Sequence, residues 1–155
     1  MSFIISGLPP AEFQALYGLS GEVLARRGVL RRVADRRPGY PCRITLEDAA
    51  EGEPVLLLNH ESHSAPTPYR SSYAIYVREG AREAAAYVDD IPPVFRDRPL
   101  AFRHFNSAGM LVGASLVVDG AVRQAIARAF EDERAAYIDV HNAAHGCFAA
   151  RVKRQ

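Results

Sequence analysis

Tyr137-Ile-Asp-Val-His-Asn-Ala-Ala-His-Gly-Cys-Phe-Ala-Ala-Arg151 is the stretch that decides the fold, because two strand-like runs here flank a turn. Successive residues of a strand point to opposite faces, so each run sorts its side chains into two rows. Ile138 and Val140 share one row of the first run, against Tyr137, Asp139 and His141. Phe148, Ala150 and Val152 share one row of the second, against Cys147, Ala149 and Arg151. A loop from Asn142 to Gly146 pairs His141 with Cys147 and Asp139 with Ala149, placing both apolar rows on one side and the polar groups on the other. A loop one residue shorter pairs His141 with Gly146 and drops Phe148 among the charges. The pattern therefore selects the five-residue loop, with Gly146 supplying a left-handed turn position. Directly opposed residues lie within about 5 Å and diagonal ones within about 8 Å, so Asp139 can reach either His141 or Arg151.

Upstream of this hairpin, Val122, Ile126, Ala129 and Phe130 fall at helical spacing and line one core-facing stripe, with Asp119 placed to cap the helix. Leu100–Phe105 and Met110–Val118 read as antiparallel strands joined by Asn106-Ser-Ala-Gly109, a turn-forming tetrad. Tyr73 to Arg78 alternates as a strand. Pro54-Val-Leu-Leu-Leu58 is a continuous apolar run of strand length, read as a central strand that ends where Asn59-His-Glu-Ser-His63 enters a polar loop. Near the start, Phe3-Ile-Ile5 reads as a strand, Phe13, Leu16 and Tyr17 as a helical stripe, and Ser20 to Gly28 as a short capped helix before a strand from Val29 to Ala34. No repeat or linker divides the chain, so residues 1–155 are expected to form one domain. Strands outnumber helices, and hairpin-length connections outnumber crossovers. The expected class is α+β: a mostly antiparallel sheet with a few helices packed on one side or end, closed by a C-terminal β-hairpin.

Composition excludes several functions. The net charge of +1 provides no strong field toward nucleic acid or an anionic membrane, and no basic-aromatic motif appears. No apolar run reaches transmembrane length, and the first residues carry no basic region of the kind that precedes a secretion signal, so a cytoplasmic location is expected. Two cysteines, Cys42 and Cys147, give no disulfide framework and are expected as thiols. All of the 19 basic residues except Lys153 are Arg, a bias that weakens any single Arg as a sign of anion recognition.

Three chemistries compete for the polar residues. A metal site would draw on Cys42, Cys147, His60, His63, His141 and His145, but no spaced ligand quartet appears, so neither metal nor cofactor is expected. Nucleophilic catalysis would use Cys147 with His141 as base and Asp139 as its orienting group. An anion pocket would use Arg43, Arg70 and Arg151, helped by Tyr69, Asn142, His141 and Cys42, through charge-assisted, fork-shaped hydrogen bonds. The pocket ranks first, since it gathers three segments whose Pro- or Gly-shaped loops converge at strand ends. Its partner would be a small anionic molecule. An interaction protein without a cleft would instead show an exposed apolar patch or a homodimer surface. Phosphate-loop, dinucleotide-binding and nucleophile-elbow motifs are all absent.

Gly39-Tyr-Pro-Cys-Arg43, Pro68-Tyr-Arg-Ser-Ser-Tyr-Ala-Ile-Tyr-Val-Arg78 and the block Ala136 to Arg151 together resemble the bacterial family labelled domain of unknown function 1203. The resemblance runs the whole length and is most specific in the last block. It implies a small bacterial protein and assigns no catalytic residues. Its relatives more often carry Pro before the glycine where this chain has His145, a departure that speaks against an essential role for His145.

Overall fold

The computed structural model describes residues 1–155, arranged as two antiparallel sheets rather than one. The larger has six strands: β1 (Phe3–Ser6), β5 (Ala86–Val88), β6 (Leu100–Phe105), β7 (Leu111–Val117), β8 (Tyr137–Asn142) and β9 (Phe148–Arg154), in the order β5-β1-β9-β8-β6-β7. The smaller has three: β2 (Leu30–Val33), β3 (Pro54–His63) and β4 (Ser71–Arg78), with β3 in the middle. Two helices, α1 (Gly21–Arg26) and α2 (Val122–Ala129), complete the regular elements together with three short 3-10 turns. The class is α+β and mostly antiparallel, with the C-terminal hairpin β8-β9 in place.

The main core explains why the hairpin alternates. Ile138 and Val140 of β8 and Ala150 and Val152 of β9 bury one face of the large sheet against Phe102, Leu100 and the Val122, Ile126 and Ala129 stripe of α2. Fully burying side chains of this size contributes roughly 1.5–3 kcal/mol each, so the apolar row fixes which face turns inward. Asp119 accepts the Ala121 N–H at 3.0 Å and holds the turn before α2, while the helix itself starts at Ala121 without a side-chain cap. Ser20 caps α1 by accepting from Val23 N at 3.2 Å. A second core of Phe13, Leu24, Ile44, Leu56, Ile75 and Val77 packs one face of the small sheet. The stripe of Phe13, Leu16 and Tyr17 forms 3-10 turns rather than an α-helix.

Strand β3 does not stop at Leu58. It continues through Asn59 to His63, pairing with β4 as far as His63 opposite Ser71, with a register shift after Glu61. This extension carries polar residues to the second face of the large sheet. Gly7 joins the two units closely: a Cβ placed there would lie 1.9 Å from the Ile44 carbonyl oxygen. Only a residue without a side chain fits at that distance.

Register in the hairpin departs from the expectation along its whole length. His141 stands opposite Phe148 instead of Cys147, displaced by one residue, and Asp139 stands opposite Arg151 instead of Ala149, displaced by two. The first residue of displacement is already present at the turn, and the second comes from a β-bulge at Ala149, which lies unpaired between Phe148 and Ala150. Ala149 and Ala150 both join the main core, and Phe148 is turned onto the face that carries His141. Gly146 holds the expected left-handed conformation, with φ of 74°.

Candidate functional site

The hairpin's polar face meets the small sheet instead of solvent. Asp139 is 1% exposed and His141 2%. Polar pairs stitch this seam. Arg151 grips Asp139 with Nε at 2.6 Å and Nη2 at 2.9 Å, and also donates from Nη2 to the Ser62 carbonyl of β3 at 3.2 Å. Its guanidinium lies 4.3 Å from the Tyr137 ring centre. Burial opposes the charged form of Arg151, but the Asp139 hydrogen bonds and charge outweigh it and raise its pKa. The Tyr137 hydroxyl meets His63 Nε2 at 2.9 Å, and Arg103 Nη1 donates to the Tyr73 hydroxyl at 2.6 Å.

His141 sits edge-to-face with Tyr73 at 4.9 Å and with Phe148 at 5.9 Å between ring centres. Its Nδ1 lies 3.0 Å from the Gly146 carbonyl oxygen. A carbonyl only accepts, so Nδ1 carries the proton. Burial, with the Arg103 charge adding to it, pushes the imidazole pKa down to about 4, and the ring is neutral at pH 7.

Where the seam opens at the hairpin turn there is a cavity of about 730 Å³. Its walls come from four places: Arg36, Pro38, Gly39, Pro41 and Arg43; Leu57 of β3 with Tyr73, Ala74 and Tyr76 of β4; Arg98 and Pro99; and Asn142 to His145 with Cys147. No carboxylate lines it. The Pro-rich segment is fixed by Asp48, whose Oδ1 accepts from Gly39 N at 3.0 Å. Asp48 also binds Arg98 Nη2 at 2.7 and 2.9 Å. Burial works against the Asp48 charge, but the Arg98 and Gly39 hydrogen bonds prevail and hold its carboxyl below the usual range.

Arg43 stands apart from the other lining arginines. It is 2% exposed, and none of the molecule's ion pairs includes it. Its Nε donates to the Phe148 carbonyl at 2.8 Å, Nη1 to the Pro41 carbonyl at 2.5 Å and Nη2 to Cys147 Sγ at 3.1 Å. A guanidinium has five N–H groups, so two remain without a protein acceptor. Burial pushes its pKa below the ordinary value. Asn142 Nδ2 approaches the same Cys147 sulfur at 3.4 Å.

A family model described as a protein of unknown function (DUF1203) matches residues 39–154. The chain belongs to this family. The DUF1203 span holds every cavity-lining residue except Arg36 and Pro38. No curated protein and no solved structure matches the chain.

Of the residues singled out in the sequence, the cavity brings together Arg43, Asn142, His145 and Cys147. Arg151 and Asp139 are joined to each other in the seam. No hydrogen bond links His141 to Cys147 or Asp139 to His141: His141 bonds Gly146 and Asp139 bonds Arg151. Arg70 lies on the surface, paired with Glu61 at 2.7 Å, and Tyr69 stands edge-on to Phe105. Cys42 is buried and accepts backbone N–H groups from Ile44, Thr45 and Arg78. His60 and His63 lie on β3, and no three His, Cys, Asp or Glu side chains group closely enough to share a metal ion. Sequence reasoning passed over Arg98, which stands 50 residues from the Asp48 it binds. It also passed over Arg36, at the mouth of the Pro-rich segment.

Proposed function

We propose that the protein binds a small anionic molecule in the cavity bordered by Arg43, Asn142 and Cys147. The observation that carries this reading is the buried Arg43 guanidinium, which reaches the cavity wall with two spare N–H groups and no acidic partner. A buried ion without a counter-charge costs several kcal/mol, and an incoming anion would offset that cost. Arg98 already has Asp48 and the exposed Arg36 has Asp35, so the uncompensated charge belongs to Arg43. A volume of about 730 Å³ suits a ligand of metabolite size. Leu57, Tyr73 and Tyr76 offer it an apolar wall, which favours an organic carboxylate over a bare inorganic ion.

Favouring binding over a Cys147/His141/Asp139 relay are the commitment of Asp139 to Arg151 and of the His141 Nδ1 proton to the Gly146 carbonyl, with no hydrogen bond between His141 and Cys147. The test is a thermal-shift and calorimetric series with acetate, benzoate, phosphate and the neutral isostere benzamide. A saturable stabilisation by benzoate that benzamide does not reproduce is expected. Ala144→Trp, at an exposed position of the cavity wall, should abolish it without unfolding the protein. Equal responses to benzoate and benzamide, or no saturable response to any anion, would refute the reading.

A further inference from the structure

We propose that Cys147 is a peroxide-reactive thiol, with Arg43 and Asn142 as its hydrogen-bonding partners and a hydroperoxide as the oxidant that enters the cavity. The inference rests on the preceding reading in one respect, that small solutes reach the Arg43 end of the cavity. It goes further by making a protein atom the reacting centre.

Two observations support it. Cys147 is only partly buried and lines the cavity, and its sulfur accepts two side-chain N–H groups, from Arg43 Nη2 at 3.1 Å and Asn142 Nδ2 at 3.4 Å. Separately, Arg43 is a buried cation at the same wall that no acid of the protein neutralises, so the site is built for negative charge that the folded chain does not itself provide. Hydrogen bonds strengthen when the acceptor is an anion, and donors already in place stabilise charge as it develops without reorganising. Arg43's two spare N–H groups can meet the oxygen that leaves.

The step balances as follows. The Cys147 sulfur attacks the terminal oxygen of the hydroperoxide, an S–O bond forms and the O–O bond breaks. Sulfur gives up two electrons and becomes a sulfenic acid, the first rung of thiol oxidation. The departing oxygen takes those electrons and the thiol proton, leaving as an alcohol, or as water when the oxidant is hydrogen peroxide. Cys42 is the internal contrast: its sulfur is buried under three backbone N–H donors and is not part of the cavity wall.

The experiment measures the rate at which Cys147 acquires a dimedone adduct after exposure to hydrogen peroxide or cumene hydroperoxide, by mass spectrometry of the reduced protein. The expected result is a rate at least tenfold higher in the folded protein than for the same cysteine in urea-unfolded protein, with Cys42 unlabelled in the folded state. Asn142→Ala should lower the folded rate several-fold, and Arg43→Lys should lower it further. Should Arg43→Lys fail to fold, Asn142→Ala decides alone. A folded rate no higher than the unfolded one, or an Asn142→Ala rate equal to the native one, overturns the proposal. So does acceleration toward iodoacetamide with none toward either peroxide, since that would describe a general nucleophile. The benzoate titration repeated on Cys147→Ser keeps the two readings separate: binding that survives beside an inert native Cys147 leaves the anion site standing and removes only the peroxide chemistry.

Discussion

Replacing Arg151 with Met should destabilise the protein far more than its position on a strand near the C-terminus suggests. Asp139 is 1% exposed, and both of its oxygens are held by the Arg151 guanidinium at 2.6 and 2.9 Å. Methionine keeps much of the arginine stem's volume and removes the charge, leaving a buried carboxylate without a counter-ion. Breaking such a pair from one side costs about 3–5 kcal/mol. Because the Arg151 side chain is itself 32% exposed, water can partly reach the orphaned group, which favours the lower end, about 3 kcal/mol. For a chain of this length that corresponds to a fall in Tm of roughly 6–12 °C. The converse change, Asp139→Leu, should cost less, about 1–2 kcal/mol, since the cation left behind can turn toward the solvent that already touches it. In the double variant Asp139→Leu/Arg151→Met no charge is stranded, and it should be at least about 1 kcal/mol more stable than Arg151→Met alone. The chain has no Trp, so guanidinium unfolding is best followed by far-UV circular dichroism with the seven Tyr as a second probe. A cost below about 1 kcal/mol for Arg151→Met, or a double variant as unstable as the sum of the singles, would show that the seam is not organised around this pair.

Stability should fall as the solution is acidified from pH 6.5 toward pH 4. His141 titrates near 4 in the folded protein and near its ordinary value of about 6.5 when unfolded, so the unfolded chain binds the extra proton in that window, and about 3 kcal/mol present above it is lost on descending. Burial pushes His60, His63 and His104 the same way, and His141→Gln should make the pH profile visibly shallower while leaving part of the slope. Gly7→Ala has to displace the Ile44 carbonyl that would lie 1.9 Å from the new Cβ, so denaturant unfolding should record a loss of about 1–3 kcal/mol. Phe148→Ala removes a buried ring packed against His141 and should cost about 3–5 kcal/mol, with the His141 titration, followed by proton NMR, moving up toward its ordinary value as water enters.

Regular alternation made most of the fold legible. The hairpin's apolar row, the α2 stripe and the pair β6-β7 were each specified by periodicities a strand or helix cannot avoid showing. Two features escaped for identifiable reasons. Strand β3 runs on through Asn59 to His63 because backbone pairing with β4 continues there, although the side chains turn polar and read as a loop. The bulge at Ala149 left no mark on the pattern because alanine is small enough to join either row. The parity of Asp139 and Arg151 was therefore readable, since both belong to the polar row, whereas their direct pairing was not: one residue of displacement at the turn and one at the bulge shift the register by two and preserve parity.

The site was harder to read because alternation separates the two faces of a sheet without saying what covers each. A polar row in an antiparallel sheet, such as Tyr137, Asp139 and His141, usually faces water. Here the row meets a second sheet. Every charge in the seam must then be matched locally, because an unmatched one is costly in a low-dielectric interior. Asp139 has Arg151 and Asp48 has Arg98, the latter across 50 positions of sequence that no spacing rule connects. Only once these pairs are assigned does Arg43 emerge as the buried cation with no acid left for it. In a chain whose basic residues are almost all Arg, the identity of that residue carries little information by itself. What sets Arg43 apart is burial without a matching acid, a property of the folded seam as a whole.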